Sequence, residues 1–227
     1  MPASRLVVFD LDGTLVDSIR DIAASVKDAL GRIAPEARPL EEREIHAFVG
    51  DGARALVARF LASAKIDRPV EDVLPLYLET YRHRLLDTTA FYPGALEALE
   101  ALKDRTLCVL TNKPGDLSRT LLAGLGAAHR FARIWGGGDV PCPKPDPGGL
   151  LRLMAEMGAR PEETVMVGDS PVDIATGRAA AVFTVGVTFG LDPRGVVDAR
   201  PDALVANLRE LPKVLSSHEK DDLHPRA

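Results

Sequence analysis

The chain has 227 residues, 46% hydrophobic and 27% charged, enough for one large domain, or one domain with a smaller insert, around a sizeable core. A formal charge of -5 without a basic block, together with 5% aromatic residues, excludes the positive footprint and stacking platforms of a nucleic-acid binder, while leaving room for a small anionic ligand. Two cysteines, Cys108 and Cys142, exclude a disulfide scaffold; with no secretory leader and no membrane-length apolar run, a cytoplasmic protein with no membrane partner is expected, as monomer or homodimer.

The first element is "LVVFD", a buried strand that runs straight into Asp10-Leu11-Asp12-Gly13-Thr14. Four stretches at the 3.6-residue period follow: "SIRDIAASVKDALGRI", "REIHAFVG", "DGARALVARFLASAKI" and "VEDVLPLYLETYRHRLL". This helical block is too long for a simple crossover and reads as an inserted cap, residues 17–88. From residue 91 onward helix and strand alternate. "ALEALEALK", "LSRTLLAGLG", "PGGLLRLMAEMG" and "VDIATGRAAA" are helical, whereas "TLCVLTN", "FARIWGGGD", "ETVMVGDS" and "FTVGVTFG" are strands. "ALVAN" and "LRELPKVLSS" complete the pattern, and "SSHEKDDLHPRA" reads as a frayed polar tail. The expected fold is α/β: a doubly wound parallel sheet, residues 1–16 and 89–215, carrying the all-helical cap, with residues 216–227 disordered.

Ligands of such sheets collect beyond the carboxyl ends of the strands. Four segments place polar residues there: Asp10 and Asp12, Thr111 and Asn112, Lys144, and Asp169 with Asp173. Carboxylates in that number suit Mg²⁺, a hard cation with oxygen ligands, and the metal removes the repulsion between paired aspartates. A hydroxyl, an amide and a lysine suit phosphate oxygens. Singly, each has a plainer reading. An Asp-x-Asp after a strand is a turn or cap feature, Lys144 a solvated loop cation, and Asp173 a first-turn helix residue. Their conjunction in one place favours a site.

The segments "DLDGTLVDS", "TNKP", "GGDVPCPKPDP" and "VGDSPVDI", in this order, resemble the haloacid dehalogenase superfamily in its phosphatase branch. "FVGDGARALV", "FYPGALEAL" and "VGVTFG" are similar to its phosphoglycolate phosphatase subgroup, and the likeness spans about residues 5 to 212. One departure is Ala181, where the family often closes its helix with glycine.

The resemblance implies that Asp10 is the nucleophile and forms an aspartyl phosphate, with Asp12 as general acid and then general base. It implies Mg²⁺ held by Asp10, the Asp12 backbone carbonyl and Asp169, with Asp173 in support, and phosphate held by Thr111, Asn112 and Lys144. The implied reaction is hydrolysis of a small phosphorylated metabolite, 2-phosphoglycolate first. A nucleotide, pyrophosphate or sugar-phosphate phosphatase shares every core residue, as does a mutase-like phosphotransferase. A phospho-acceptor signalling module also uses aspartates, a hydroxyl and a lysine on a doubly wound sheet, though without a cap. In the helical block, Arg54 reads equally as a ligand for a substrate carboxylate and as an exposed helix cation. Lys113 reads as an entrance residue or, somewhat better, as a surface one. His46, His83 and His129 lack metal-ligand spacing.

Overall fold

The structure is a computed structural model and describes residues 4–223. It contains, in chain order, β1 (Leu6–Phe9), β2 (Val16–Asp17), α1 (Ile19–Ile33), α2 (Glu42–His46), α3 (Ala53–Ser63), α4 (Val70–Arg84), β3 (Ala90–Phe91), α5 (Ala95–Ala101) and β4 (Thr106–Pro114). There follow α6 (Gly115–Gly124), β5 (Arg133–Gly137), α7 (Gly148–Met157), β6 (Thr164–Gly168), α8 (Pro171–Ala179), β7 (Phe183–Val187), α9 (Pro193–Asp198), β8 (Ala203–Val205) and α10 (Leu211–Leu223).

Six strands form one parallel sheet in the order β5-β4-β1-β6-β7-β8. β1 lies in its centre, with Phe9 in register with Val109 on one side and Val167 on the other. The two-residue alternation of a strand sorts its side chains onto both faces. Val7, Phe9, Val109, Val165 and Val167 enter one apolar cluster, whereas Leu6, Val8, Cys108, Leu110 and Met166 enter the other. Both faces are covered by helices, as a doubly wound sheet requires. Every strand of the sheet therefore opens its carboxyl end at the same edge, and β1 stands between β4 and β6 there.

Helices α1, α3 and α4 pack on one another through Ile22, Val26, Leu56, Phe60, Tyr77 and Tyr81, and this packing is continuous with the first apolar cluster of the sheet. Two features differ from the sequence expectation. The helical block is not flanked by bare loops: β2 and β3 pair antiparallel, Val16 with Phe91, and tie its two ends together. Nor does the tail fray at residue 216. α10 runs to Leu223, buries Leu211 and Leu215, stacks His218 on Phe183 at 3.8 Å between ring centroids, and pairs Glu219 with Arg105 at 2.7 Å. Residues 224–227 of the expected tail lie outside the described residues. No helix among the described residues is long and apolar enough to cross a membrane.

Candidate active site

Asp10 leaves the end of β1, its N–H donating to the Val167 carbonyl at 2.9 Å. The chain then turns sharply at Gly13, whose φ is +89°. A Cβ on Gly13 would stand 2.2 Å from Asp169 Oδ2, so only glycine lets this turn press against the end of β6. Thr14 Oγ1 donates to Asp169 Oδ1 at 3.2 Å and the Leu191 N–H donates to Asp169 Oδ2 at 2.6 Å. Asp173 sits at the third position of α8, fully buried, accepting from the Ser170 N–H at 3.1 Å and the Ser170 hydroxyl at 2.7 Å.

These turns bring Asp10, Asp169 and Asp173 together, with one carboxylate oxygen from each within 4.8 Å of the others. Lys144 reaches into the group from the loop before α7. Its Nζ lies 2.8 Å from Asp10 Oδ1 and donates to Asp173 Oδ1. The contact with Asp10 is an ion pair without hydrogen-bond alignment, so Asp10 Oδ1 is buried and accepts no hydrogen bond. Burial, and then the neighbouring Asp173 charge, push the Asp10 carboxyl up against the pull of Lys144. Burial followed by Asp173 and Asp10 does the same to Asp169. Burial opposes the charge on Lys144, but Asp10 and Asp173 outweigh it and hold the ammonium above its ordinary value.

Three buried carboxylates against one ammonium leave negative charge uncompensated, and Asp10 Oδ1 has a free acceptor. That donor set fits a hard dication such as Mg²⁺. The carboxylate of Asp12 is not part of it. It turns the other way, accepting from Ser18 Oγ at 2.5 Å and from Lys113 Nζ at 3.1 Å to each oxygen.

Thr111, Asn112 and Lys113 lie near the end of β4, just before Pro114. Thr111 is buried, its Oγ1 accepting from the Lys113 N–H at 3.2 Å, and it lines the same cavity as Asp10 and Asp12. Asn112, expected to hold phosphate, spends its amide on the backbone. Its Nδ2 donates to the carbonyls of Gly50 and Lys144, both at 3.1 Å, and its Oδ1 accepts from the Lys144 N–H at 2.8 Å. It is a clasp joining β4, the Lys144 loop and the turn before α3.

The expectation of a surface Lys113 is corrected. Its side chain is 3% exposed, with Nζ between the Asp12 carboxylate and the Tyr81 hydroxyl of α4. β5 presses on its backbone. A Cβ on Gly136 would lie 2.2 Å from the Lys113 carbonyl, so glycine at this position of β5 lets the two strands approach. Arg54 is 65% exposed and paired with Glu71, and it faces a cavity that contains neither aspartate of the Asp-x-Asp pair.

Two cavities meet at Asp10 and Asp12. The wider, about 600 Å³, is lined by Lys144, Asp169 and Asp173, with His46 and Arg59 on its far wall. The smaller, about 50 Å³, is lined by Thr111, Lys113 and Tyr81, with Ile22, Val49 and Leu56 on the apolar side. Tyr81, Ser18, Thr14 and Arg59 were not singled out in the sequence. The four-residue step from Tyr77 to Tyr81 places Tyr81 on the inward face of α4, which is a signal for burial but not for this cavity.

The sequence matches the family "Haloacid dehalogenase-like hydrolase" over residues 7–187. The chain belongs to that family. Among curated members, the phosphoglycolate phosphatase of Agrobacterium fabrum is 36% identical over 219 residues, covering 94% of this chain and 93% of its own length. That of Haemophilus influenzae (strain Rd) is 34% identical over 221 residues, covering 93% and 98%. The crystal structure of a "predicted phosphoglycolate phosphatase" from Haemophilus somnus 129pt superposes with a TM-score of 0.86 at 30% identity, over 94% of this chain and 99% of that one. Asp10, Asp12, Thr111, Lys144 and Asp169 lie around one junction at the carboxyl edge of the sheet.

Proposed function

We propose that this hydrolase is a Mg²⁺-dependent phosphatase of small phosphate monoesters, acting on 2-phosphoglycolate to give glycolate and phosphate. The observation that carries the reading is the position of Asp10 and Asp12 on the boundary between a wide acidic cavity and a small, mostly apolar one. A monoester placed across that boundary puts its phosphoryl group beside Asp10, between Lys144 on one side and Thr111 on the other, and its leaving group under α3 and α4. The curated relatives named phosphoglycolate phosphatase support the choice of substrate.

A carboxylate oxygen of Asp10 attacks phosphorus, and the phosphorus–oxygen bond to the leaving group breaks. Asp12 gives its proton to the departing oxygen, leaving an aspartyl phosphate on Asp10. Asp12 then takes a proton from water, whose oxygen attacks phosphorus. The bond to Asp10 breaks, restoring its carboxylate and releasing inorganic phosphate. Lys144 and the hydroxyl of Thr111 hold the phosphoryl oxygens through both steps. Asp10, Asp169 and the Asp12 backbone carbonyl would hold Mg²⁺, with Asp173 in support, and the ion would supply charge to neutralise the phosphoryl group. The helical block, residues 17–88, serves as the cap that shields the junction from bulk water.

Phosphate release from 2-phosphoglycolate, sugar phosphates, nucleotides and pyrophosphate, with Mg²⁺ and with chelator, tests this. The expected result is turnover strongest on 2-phosphoglycolate and abolished by chelator. Strongest turnover on another monoester replaces the substrate, and no release from folded protein with Mg²⁺ removes the phosphatase reading.

A further inference from the structure

The smaller cavity holds a feature the hydrolytic steps do not use. Its volume, about 50 Å³, accommodates roughly four water-sized groups at 10–15 Å³ each. That is room for a two-carbon leaving group. Among the described residues lining it, the cation is Lys113, with the Tyr81 hydroxyl beside it, and the α3 and α4 side is otherwise formed by Ala53, Leu56 and Tyr77.

We propose that Lys113, fixed by Tyr81, reads a carboxylate on the leaving group of the substrate. The inference rests on the phosphatase reading above and deepens it: specificity for an anionic two-carbon alcohol comes from a core strand and one helix of the cap. Arg54, the other cation weighed for that task, is exposed, paired with Glu71, and outside this cavity. The geometry also links recognition to chemistry. In the structure Lys113 holds both oxygens of Asp12 at 3.1 Å. A substrate carboxylate entering the cavity offers the ammonium an equivalent pair of oxygens, so Lys113 exchanges one carboxylate for another; Asp12, freed of its cation, takes up a proton from solvent and turns toward the leaving oxygen to donate it. A leaving group without the charge has nothing to exchange, and Asp12 stays pinned.

The test compares 2-phosphoglycolate with 2-hydroxyethyl phosphate, which has the same two carbons and no charge on the leaving group, in the wild type, Lys113→Met and Tyr81→Phe, all with Mg²⁺. A buried charge-assisted contact supports a wild-type preference for 2-phosphoglycolate of about 30- to 100-fold in kcat/KM. Lys113→Met is expected to bring that ratio within about 3-fold of unity. Tyr81→Phe, which removes one oxygen from the packed helix, is expected to lower the ratio about 5-fold, chiefly through KM for 2-phosphoglycolate. A ratio near unity in the wild type overturns the proposal, as does a Lys113→Met or Tyr81→Phe protein that loses both activities equally, because a phosphate-binding or structural role moves both substrates together. If the wild type releases phosphate from neither monoester, the phosphatase reading itself fails, an outcome distinct from the loss of selectivity.

Discussion

Ala181 holds a φ of +56° just after α8, a region where a side chain bearing Cβ is strained. The Val182 N–H returns to the Gly177 carbonyl at 3.0 Å, so the helix end that glycine commonly serves is built here around alanine. Ala181→Gly relieves about 1–2 kcal/mol of strain and gives back about 0.4–1 kcal/mol through the freer unfolded chain. The net expectation is about 0.5 kcal/mol of added stability, a rise in Tm of about 1–2 °C for a chain of this size. Thermal unfolding checks it, and a fall in Tm would show that the strain is absorbed elsewhere. Residues whose positions follow from the backbone were legible in the sequence: Asp10, Thr111, Lys144 and Asp169 all end or follow a strand. Asn112 and Lys113 were not, because at the end of one strand the direction of each side chain depends on neighbours hundreds of atoms away. Gly50 and Lys144 claim the Asn112 amide, and Tyr81 meets the Lys113 ammonium.

At the scale of elements, α1 is pinned to the chain where it leaves the helical block. Asp21, buried in the first turn of α1, accepts from the N–H and hydroxyl of both Thr88 and Thr89, at 2.6 to 3.0 Å. Burial pushes its carboxyl up, but these hydrogen bonds outweigh burial and hold it below its ordinary value. A carboxyl depressed in the folded state contributes stability above its unfolded value, near 3.9, and loses it as the pH falls through the folded value. Asp21→Asn is therefore expected to cost about 2 kcal/mol near neutral pH, with the gap to the wild type narrowing below about pH 4. Urea unfolding across that range measures it, and a gap that stays constant to pH 3 contradicts the assignment. The helices of this block were legible because their 3.6-residue period repeats over enough residues, and the central strands because a strand buried on both faces reads as a short unbroken apolar run. The β2–β3 ribbon was not, since two residues carry no period. The second half of α10 was hidden because its inward residues, among them Leu211, Val214, Leu215 and His218, sit in a polar segment.

For the whole molecule, the order of the sheet decides what the chain can do. With β1 between β4 and β6, the Asp-x-Asp turn, Thr111 and Asp169 arrive at one edge, and the loop before α7 delivers Lys144 beside them. The helical block then closes one side of that edge into a cavity of about 50 Å³ and leaves the acidic side wide. The doubly wound parallel sheet and the family likeness were both within reach of the sequence; the sizes of the cavities were not, because they depend on how α3 and α4 seat over β4. The central claim is that Asp10 carries the phosphoryl group during turnover. The direct measurement is to quench the enzyme with borohydride while it turns over 2-phosphoglycolate with Mg²⁺ and to map residue 10 by peptide mass, since an acyl phosphate is reduced to the alcohol and a free carboxylate is not. The account predicts homoserine at position 10 during turnover, none with chelator, and no phosphate release from Asp10→Asn. Turnover with residue 10 unmodified, or retained by a clean Asp10→Asn protein, would contradict it.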